Sequence, residues 1–326
     1  EGKLAEVLPF LQDFAHAEVR ALRRDIAVEA CRRYDIAGFL YDFMRCPGYF
    51  KRGGEEAGLE LMTVLMRETR RALDAVGAAK GRYCGLAVRV PNTIAGSRRL
   101  GLDIAMWIGE GLVDLVVPSC FFAQDMEEDV AEWVALAAGT GVQIYPSLEE
   151  AYRAGHTSGF RRWFLQPPFM TELNDSMIRG LAARHLSRGV DGLYVFNFFG
   201  TAPTYDYDNR EAIDDIGDPR RLEFKDKHYA ITRSHDSFPN CLQTARQIPV
   251  DLGAEPTVLR LEVPDDLARH RDRLRAVVLW LHLDNLTIAD EVAVELNGAP
   301  LAAANPMRPG GYDPTPDYWL RFDLLR

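Results

Sequence analysis

The stretch Ile36-Ala37-Gly38-Phe39-Leu40-Tyr41-Asp42-Phe43-Met44-Arg45-Cys46-Pro47-Gly48-Tyr49-Phe50 decides how the chain is read. Residues 38–43 form a short apolar run whose charge appears only at its end, as Asp42 and then Arg45, before Pro47 and Gly48 break it. Parallel strands buried on both faces are written as continuous apolar runs of this length. In open α/β sheets and in (β/α) barrels, the C-terminal ends of such strands gather the loops that do chemistry. Residues 38–43 are therefore predicted to be a buried parallel strand that delivers Asp42 to a site.

Upstream, Val19, Leu22, Ile26 and Ala30 recur at helical spacing over 17–33, with basic residues on the other face, so a helix feeds that strand. Downstream the pattern predicts a helix over 55–76, a strand over 86–90, a helix over 102–110 and a strand over 113–117 that ends in Pro118-Ser119. A helix over 126–138, a strand over 142–145, a helix over 175–187 and a strand over 192–198 follow. Strict alternation at this spacing predicts a parallel sheet with helices outside it. The strands make about five βα units, whereas a closed barrel requires eight. An open doubly wound sheet and a barrel whose first strands lie ahead of Glu1 both fit that count. The Rossmann form of the first needs a glycine-rich phosphate turn after a strand, and neither G-x-G-x-x-G nor G-x-x-x-x-G-K-[ST] occurs. The fold class read here is α/β, a (β/α)8 TIM-type barrel lacking its first strands, over residues 1–204.

Residues 205–245, which open on Tyr205-Asp206-Tyr207-Asp208-Asn209, read as a loop-rich connection. Beyond them the period changes to two in 258–263, 276–283 and 291–296, and Asn297-Gly298 is a strong hairpin turn. With the final run 318–324, these predict an accessory antiparallel β-sandwich over 246–326, cut short at its last strand.

The bulk numbers agree with a globular chain: 326 residues, 47% hydrophobic and 26% charged, enough for a large core and a second domain. A formal charge of −10, with no basic run longer than an Arg pair, argues against a nucleic-acid partner. No apolar stretch approaches the roughly 20 residues of a membrane span. The five cysteines are scattered and never form Cys-x-x-Cys, so neither a disulfide framework nor a zinc site is predicted, and Cys46 has no Cys-His signature beside it. His16, His156, His185, His228 and His235 show no metal-ligand spacing and read as structural or surface residues, so neither a metal nor a cofactor is expected. The composition does not address oligomeric state.

Polar residues cluster at the predicted strand ends: Asp42 with Arg45, then Arg89, Ser119, Glu149 with Glu150, and Asn197. Two carboxyl groups across a barrel mouth can divide the work of breaking an acetal, one giving a proton to the leaving oxygen while the other attacks or activates water. Asp42 and Glu149 form the natural pair. A plainer account has Asp42 pairing with Arg45 and capping a loop. Ser147-Leu148-Glu149-Glu150 also resembles a helix start, with Ser147 as N-cap and Glu150 closing a capping box. Arg45 and Arg89 can hold a substrate oxygen or neutralise the acids. Tyr49, Trp107 and Tyr145 supply aromatic faces on which a sugar ring can stack, and Asn197 adds an amide.

Four segments carry a family resemblance: Phe14 through Arg20; Arg33-Tyr34-Asp35-Ile36-Ala37-Gly38-Phe39-Leu40-Tyr41-Asp42-Phe43-Met44-Arg45; Gly101-Leu102-Asp103 through Trp107 to Asp114; and Gly189-Val190-Asp191-Gly192-Leu193-Tyr194-Val195-Phe196-Asn197-Phe198. Across residues 14–200 they resemble bacterial family 10 glycosylhydrolase-like proteins. The resemblance implies a (β/α)8 barrel often followed by a β-sandwich, with Asp42 after the fourth strand and Glu149 after the seventh. It also implies a carbohydrate substrate and, since such enzymes are often exported, a signal lying ahead of Glu1. Retaining barrels of that type carry Asn-Glu after the fourth strand, where this chain has Tyr41-Asp42. The α-galactosidase clan instead uses an Asp there as nucleophile, so the resemblance leaves the roles within the pair open. A catalytically silent glycan-binding barrel is the alternative.

Overall fold

The computed structural model describes residues 11–120, 124–149, 151–153, 170–196, 198, 210–232, 247–248, 250–283, 289–302, 305–307 and 318–325. The chain divides into two compact units, Glu1–Gly155 with Pro168–Pro264, and His156–Pro167 with Asp265–Arg326. Of the predicted loop-rich connection, residues 205–209 lie outside the described residues, whereas Arg210–Ile216 and Pro219–Leu222 are helical rather than loop, their Ala212, Ile216 and Leu222 being buried.

In the first unit, helix α1 (Ala17–Arg33) leads into β1 (Gly38–Asp42), followed by α2 (Glu55–Lys80), β2 (Gly85–Pro91), α3 (Ile94–Arg99), α4 (Ile104–Gly109), β3 (Leu115–Ser119), α5 (Ala131–Ala137) and β4 (Gln143–Ile144). These four strands form one parallel sheet in the order β1-β2-β3-β4. Helix α2 is amphipathic in the expected way: Leu59, Met62, Leu65, Met66, Leu73 and Val76 bury one stripe, and Gly81 closes the helix in the left-handed region at φ 67°. Asp103 accepts a hydrogen bond from the Met106 amide, which starts α4 two residues later than the apolar pattern alone suggests.

Register settles which side chains share a face. Phe39 and Tyr41 pair with Leu86 and Val88, and Val88 pairs in turn with Val116. These face the helices; the Tyr41 hydroxyl hydrogen-bonds with Thr69 of α2 and donates to the Arg23 carbonyl of α1. The alternate positions Leu40, Asp42, Ala87, Arg89, Val117 and Ser119 project from the opposite face, because successive strand residues point to opposite sides. At the start of β1 and β2, Gly38 lies opposite Gly85 so closely that a Cβ on Gly38 would collide with the Gly85 carbonyl. The approach requires glycine at 38, whereas a Cβ on Gly85 would meet nothing closer than 3.6 Å.

The chain then forms β5 (Ser147–Glu149), β6 (Ala151–Arg153), β7 (Met170–Glu172), α6 (Asp175–Ser187), β8 (Tyr194–Phe196), α7 (Arg210–Ile216) and α8 (Pro219–Leu222). β5 pairs in parallel with β8, and β6 pairs antiparallel with β7. The expected helix start at Ser147 is not found. Leu148 is fully buried, and Ser147 and Glu149 project to one side as strand residues, the serine hydroxyl donating to its neighbour's carboxylate instead of capping a helix. Helix α6 matches its expected span of 175–187, with Asn174 capping the Met177 amide at 2.9 Å. Helix α5 is shorter than the predicted 126–138, because the segment before it turns at Asp125, whose side chain accepts from the Glu127 amide.

The fold is mixed α/β, and the described strands do not close into a barrel: the four-stranded sheet and the β5–β8 pair remain separate sheets. One core packs β1–β4 against α1, α2, α4 and α5 around Trp107, Trp133, Leu86 and Val88; a second packs α6, α7 and α8 against Leu148.

In the second unit, β9 (Val278–Leu283), β12 (Asn305–Met307) and β13 (Tyr318–Asp323) form an antiparallel sheet in the order β12-β13-β9. β10 (Glu295–Leu296) and β11 (Ala299–Pro300) make a hairpin through Asn297 and Gly298, at φ 52° and 80°. That is the predicted turn. Residues 258–263, predicted as a strand, run without strand pairing; Val258 is 76% exposed, and alternation without a buried face does not specify a partner.

Candidate functional site

Arg89 and Asp42 are register partners on adjacent strands, so their side chains leave the sheet side by side near its C-terminal edge. The guanidinium is 1% exposed and surrounded by acceptors. Its Nη1 donates to both oxygens of Asp42 at 3.3 Å, its Nε to Ser119 Oγ at 2.9 Å and its Nη2 to Glu149 Oε1 at 2.7 Å. Ser119 Oγ and Ser147 Oγ also donate to Glu149 Oε1, at 2.8 and 3.2 Å. Phe196, the register partner of Glu149 on β8, covers the guanidinium face with its ring centroid 3.7 Å from the central carbon. A cation over an aromatic face in a desolvated place is worth about 2 kcal/mol or more.

The two carboxyls occupy different surroundings. The Asp42 side chain is 31% exposed and also accepts from the Met44 amide at 2.8 Å, which fixes the first turn of the loop after β1. Glu149 is 1% exposed. Burial pushes its carboxyl above the ordinary glutamate range, while the Arg89 charge and the Ser119 and Ser147 hydroxyls pull in the opposite direction. The pair therefore joins a solvated acid to a shielded one through a single buried base.

The other expected site residues are distributed unevenly. Arg89 belongs to the cluster, with its donors directed to protein acceptors. Arg45 is exposed on the loop after β1. Tyr145 is half-buried beside β4, its ring against Gly192. Tyr49 and Trp107 are corrections to the stacking role, because both are core side chains. Trp107 is fully buried with its indole N–H donating to Thr63 at 2.9 Å, and Tyr49 donates to the Phe43 carbonyl and packs edge-on against Phe14 and Phe43. Asn197 and Glu150 lie outside the described residues.

Sequence reasoning missed Gln124, Glu128 and Phe196. Gln124 Oε1 accepts the Glu149 backbone amide at 3.0 Å, and its Nε2 donates to the Asp125 carbonyl at 3.0 Å and to Glu128 Oε2 at 3.2 Å. No apolar or acidic periodicity announces a lone glutamine in a turn. Among the described residues, no group of three His, Cys, Asp or Glu side chains is placed to hold a metal ion, and no helix is long and apolar enough to cross a membrane.

An α/β unit carrying an acid–arginine–acid cluster at the C-terminal ends of its parallel strands is the class of molecule that the fold and site define. No family model matches the chain, and no curated protein matches it. Among solved structures, the chain is similar to a glycoside hydrolase family 18 N-acetylglucosaminidase from Paenibacillus barengoltzii, at 15% identity over 61% of this chain and 76% of that one, with a TM-score of 0.42. It is also similar to a family 18 chitinase from Chromobacterium violaceum, at 16% identity over 48% of this chain and 31% of that one, with a TM-score of 0.27. Both are family 18 enzymes, whereas the sequence motifs resemble family 10-like proteins.

Proposed function

We propose that the chain is a glycoside hydrolase acting on an oligo- or polysaccharide, with Asp42 and Glu149 as its carboxyl pair on the inner face of a (β/α)-type barrel. The observation that carries this reading is the convergence of Asp42, Arg89, Ser119 and Glu149, from three parallel-sheet strands and β5, into one hydrogen-bonded cluster. One guanidinium spans both carboxyls, which keeps them inside the roughly 10 Å over which two acids can serve one glycosidic bond. Their environments differ as an acid and a base require: Glu149 is raised by burial, and Asp42 is partly solvated. The segments that resemble the family 10-like proteins include β1, which carries Asp42, and β8, which carries Phe196. In this reading Arg89 orients the two acids, and the substrate meets the cluster from the Asp42 side.

One observation favours the second reading, a silent glycan-binding protein: Glu149 is shut in behind Arg89. Hydrolysis of a panel of aryl glycosides decides between them. The expected outcome is turnover by the wild type that falls about 100-fold or more in Asp42→Asn and in Glu149→Gln. Variants that match the wild-type rate overturn the assignment; glycan binding without turnover selects the second reading.

A further inference from the structure

Behind Glu149 lies a second polar cluster. Glu128, in the turn before α5, is 1% exposed, and His185, on the inner face of α6, is 0% exposed. Glu128 Oε2 lies 3.8 Å from His185 Nε2. Glu128 Oε1 and both ring nitrogens of His185 make no hydrogen bond among the described residues. The cluster is tied to the site through Gln124. An amide side chain has one accepting end and one donating end, and Gln124 spends the donating end on Glu128 and the Asp125 carbonyl. Its oxygen is thereby turned onto the backbone amide of Glu149.

We infer that Gln124 and Glu128 form a buried relay that positions Glu149, with Gln124 as the positioning residue and Glu128 as the group that fixes its orientation. This rests on the reading of Glu149 as a site residue. The groups facing Glu128 are Asp125 from its own turn, Glu149 from β5, Cys120 from the end of β3, and Arg184 with His185 from α6. Asp129, in the turn before α5, also bears on His185. Burial, with Asp125 and Glu149 adding to it, pushes the Glu128 carboxyl well above the ordinary range, and burial lowers the His185 imidazole to about 3, so folding favours the uncharged form of each. A neutral acid both accepts from Gln124 and keeps negative charge away from Glu149. If Glu128 lost its proton, a second carboxylate would stand behind Glu149 and raise the cost of ionising it.

The test reads the titration of the Glu149 side-chain carboxyl by 13C NMR on the full chain, assigned with Glu149→Gln, alongside thermal unfolding against pH. Glu128→Gln is a neutral isostere, and it is expected to leave the Glu149 midpoint where it is and to resist heat better than wild type above pH 7. Gln124→Met and Glu128→Leu remove the anchor and are expected to move the midpoint by about half a pH unit or more. A midpoint unmoved in folded Gln124→Met and Glu128→Leu overturns the relay. Loss of heat resistance above pH 7 in Glu128→Gln overturns it also, and this arm decides the matter where the other two variants do not fold. A relay that passes these tests in a protein without glycosidase activity leaves the inference standing and removes only the catalytic reading.

Discussion

Asp42 ends a five-residue strand inside a four-stranded parallel sheet, whereas Glu149 ends a three-residue strand paired with one equally short neighbour. Asp42 is placed by backbone register and by the apolar layer beneath β1 and β2, and its carboxylate remains in touch with solvent. Glu149 is placed by side chains: Arg89, Ser119 and Ser147 on its carboxyl, Gln124 on its amide. The same guanidinium serves both, yet it matters unequally to them. An acid held by a sheet keeps its position when a neighbour is lost; an acid held by a polar shell does not.

The sharpest way to break this contrast is Arg89→Met. It strands a buried Glu149 carboxyl and is expected to cost about 3–5 kcal/mol in urea unfolding, with Asp42 contributing little of that loss. A cost below about 1 kcal/mol would show that the two acids are held alike. Gly38→Ala attacks the sheet side instead, forcing β1 away from β2 at the Gly85 carbonyl, and should cost about 1–3 kcal/mol by the same assay.

Smaller effects come from the shell around Glu149. Unfolded glutamate ionises near 4.5, whereas folded Glu128 does so only well above that value, so stability is present below pH 4.5 and declines as pH climbs toward the folded value. Histidine behaves in the opposite sense: the unfolded group protonates near 6.5 and buried His185 near 3, so stability declines as pH falls from 6.5 toward 3. Thermal unfolding is expected to show its maximum between pH 4.5 and 6.5, and Glu128→Gln should flatten the alkaline limb, since a tenfold change in proton affinity on folding is worth about 1.4 kcal/mol. The smallest effect expected is that of Asp42→Asn on stability, under about 1 kcal/mol, since the acid is partly solvated. A larger loss would mean that register alone does not hold β1's end.

The same contrast explains what could be read in the sequence. Strands β1, β2 and β3 were legible because each is a mostly apolar run of five to seven residues with a polar side chain at or near its C-terminal end, and long strands in a parallel sheet leave little choice of face. Helix α6 was legible from its place in the strand–helix alternation, and its Asn174 cap is a finding of the structure. The shell was not. Ser147-Leu148-Glu149 satisfies a helix-cap pattern as well as a strand pattern, and burial of Leu148 against α6 decides between them. Residues 126–130 carry helical spacing but turn instead, which is what sends Glu128 inward. Trp107 and Tyr49 were aromatic residues near strand ends whose partners, Thr63 and Phe43, only three-dimensional packing reveals.

The two-faced character of β2 reaches beyond the site. Leu86, Val88 and Val90 pack toward the helices, and Arg89 stands on the reverse. A slip of one residue during folding would exchange these sets, driving the guanidinium into the hydrocarbon layer and turning the valines toward Asp42 and Glu149. Arg89 thus acts as a lock on strand alignment, penalising mispaired sheets before any ligand arrives, and a chain with a neutral residue there should populate slowly refolding, misaligned species even where its final state is native.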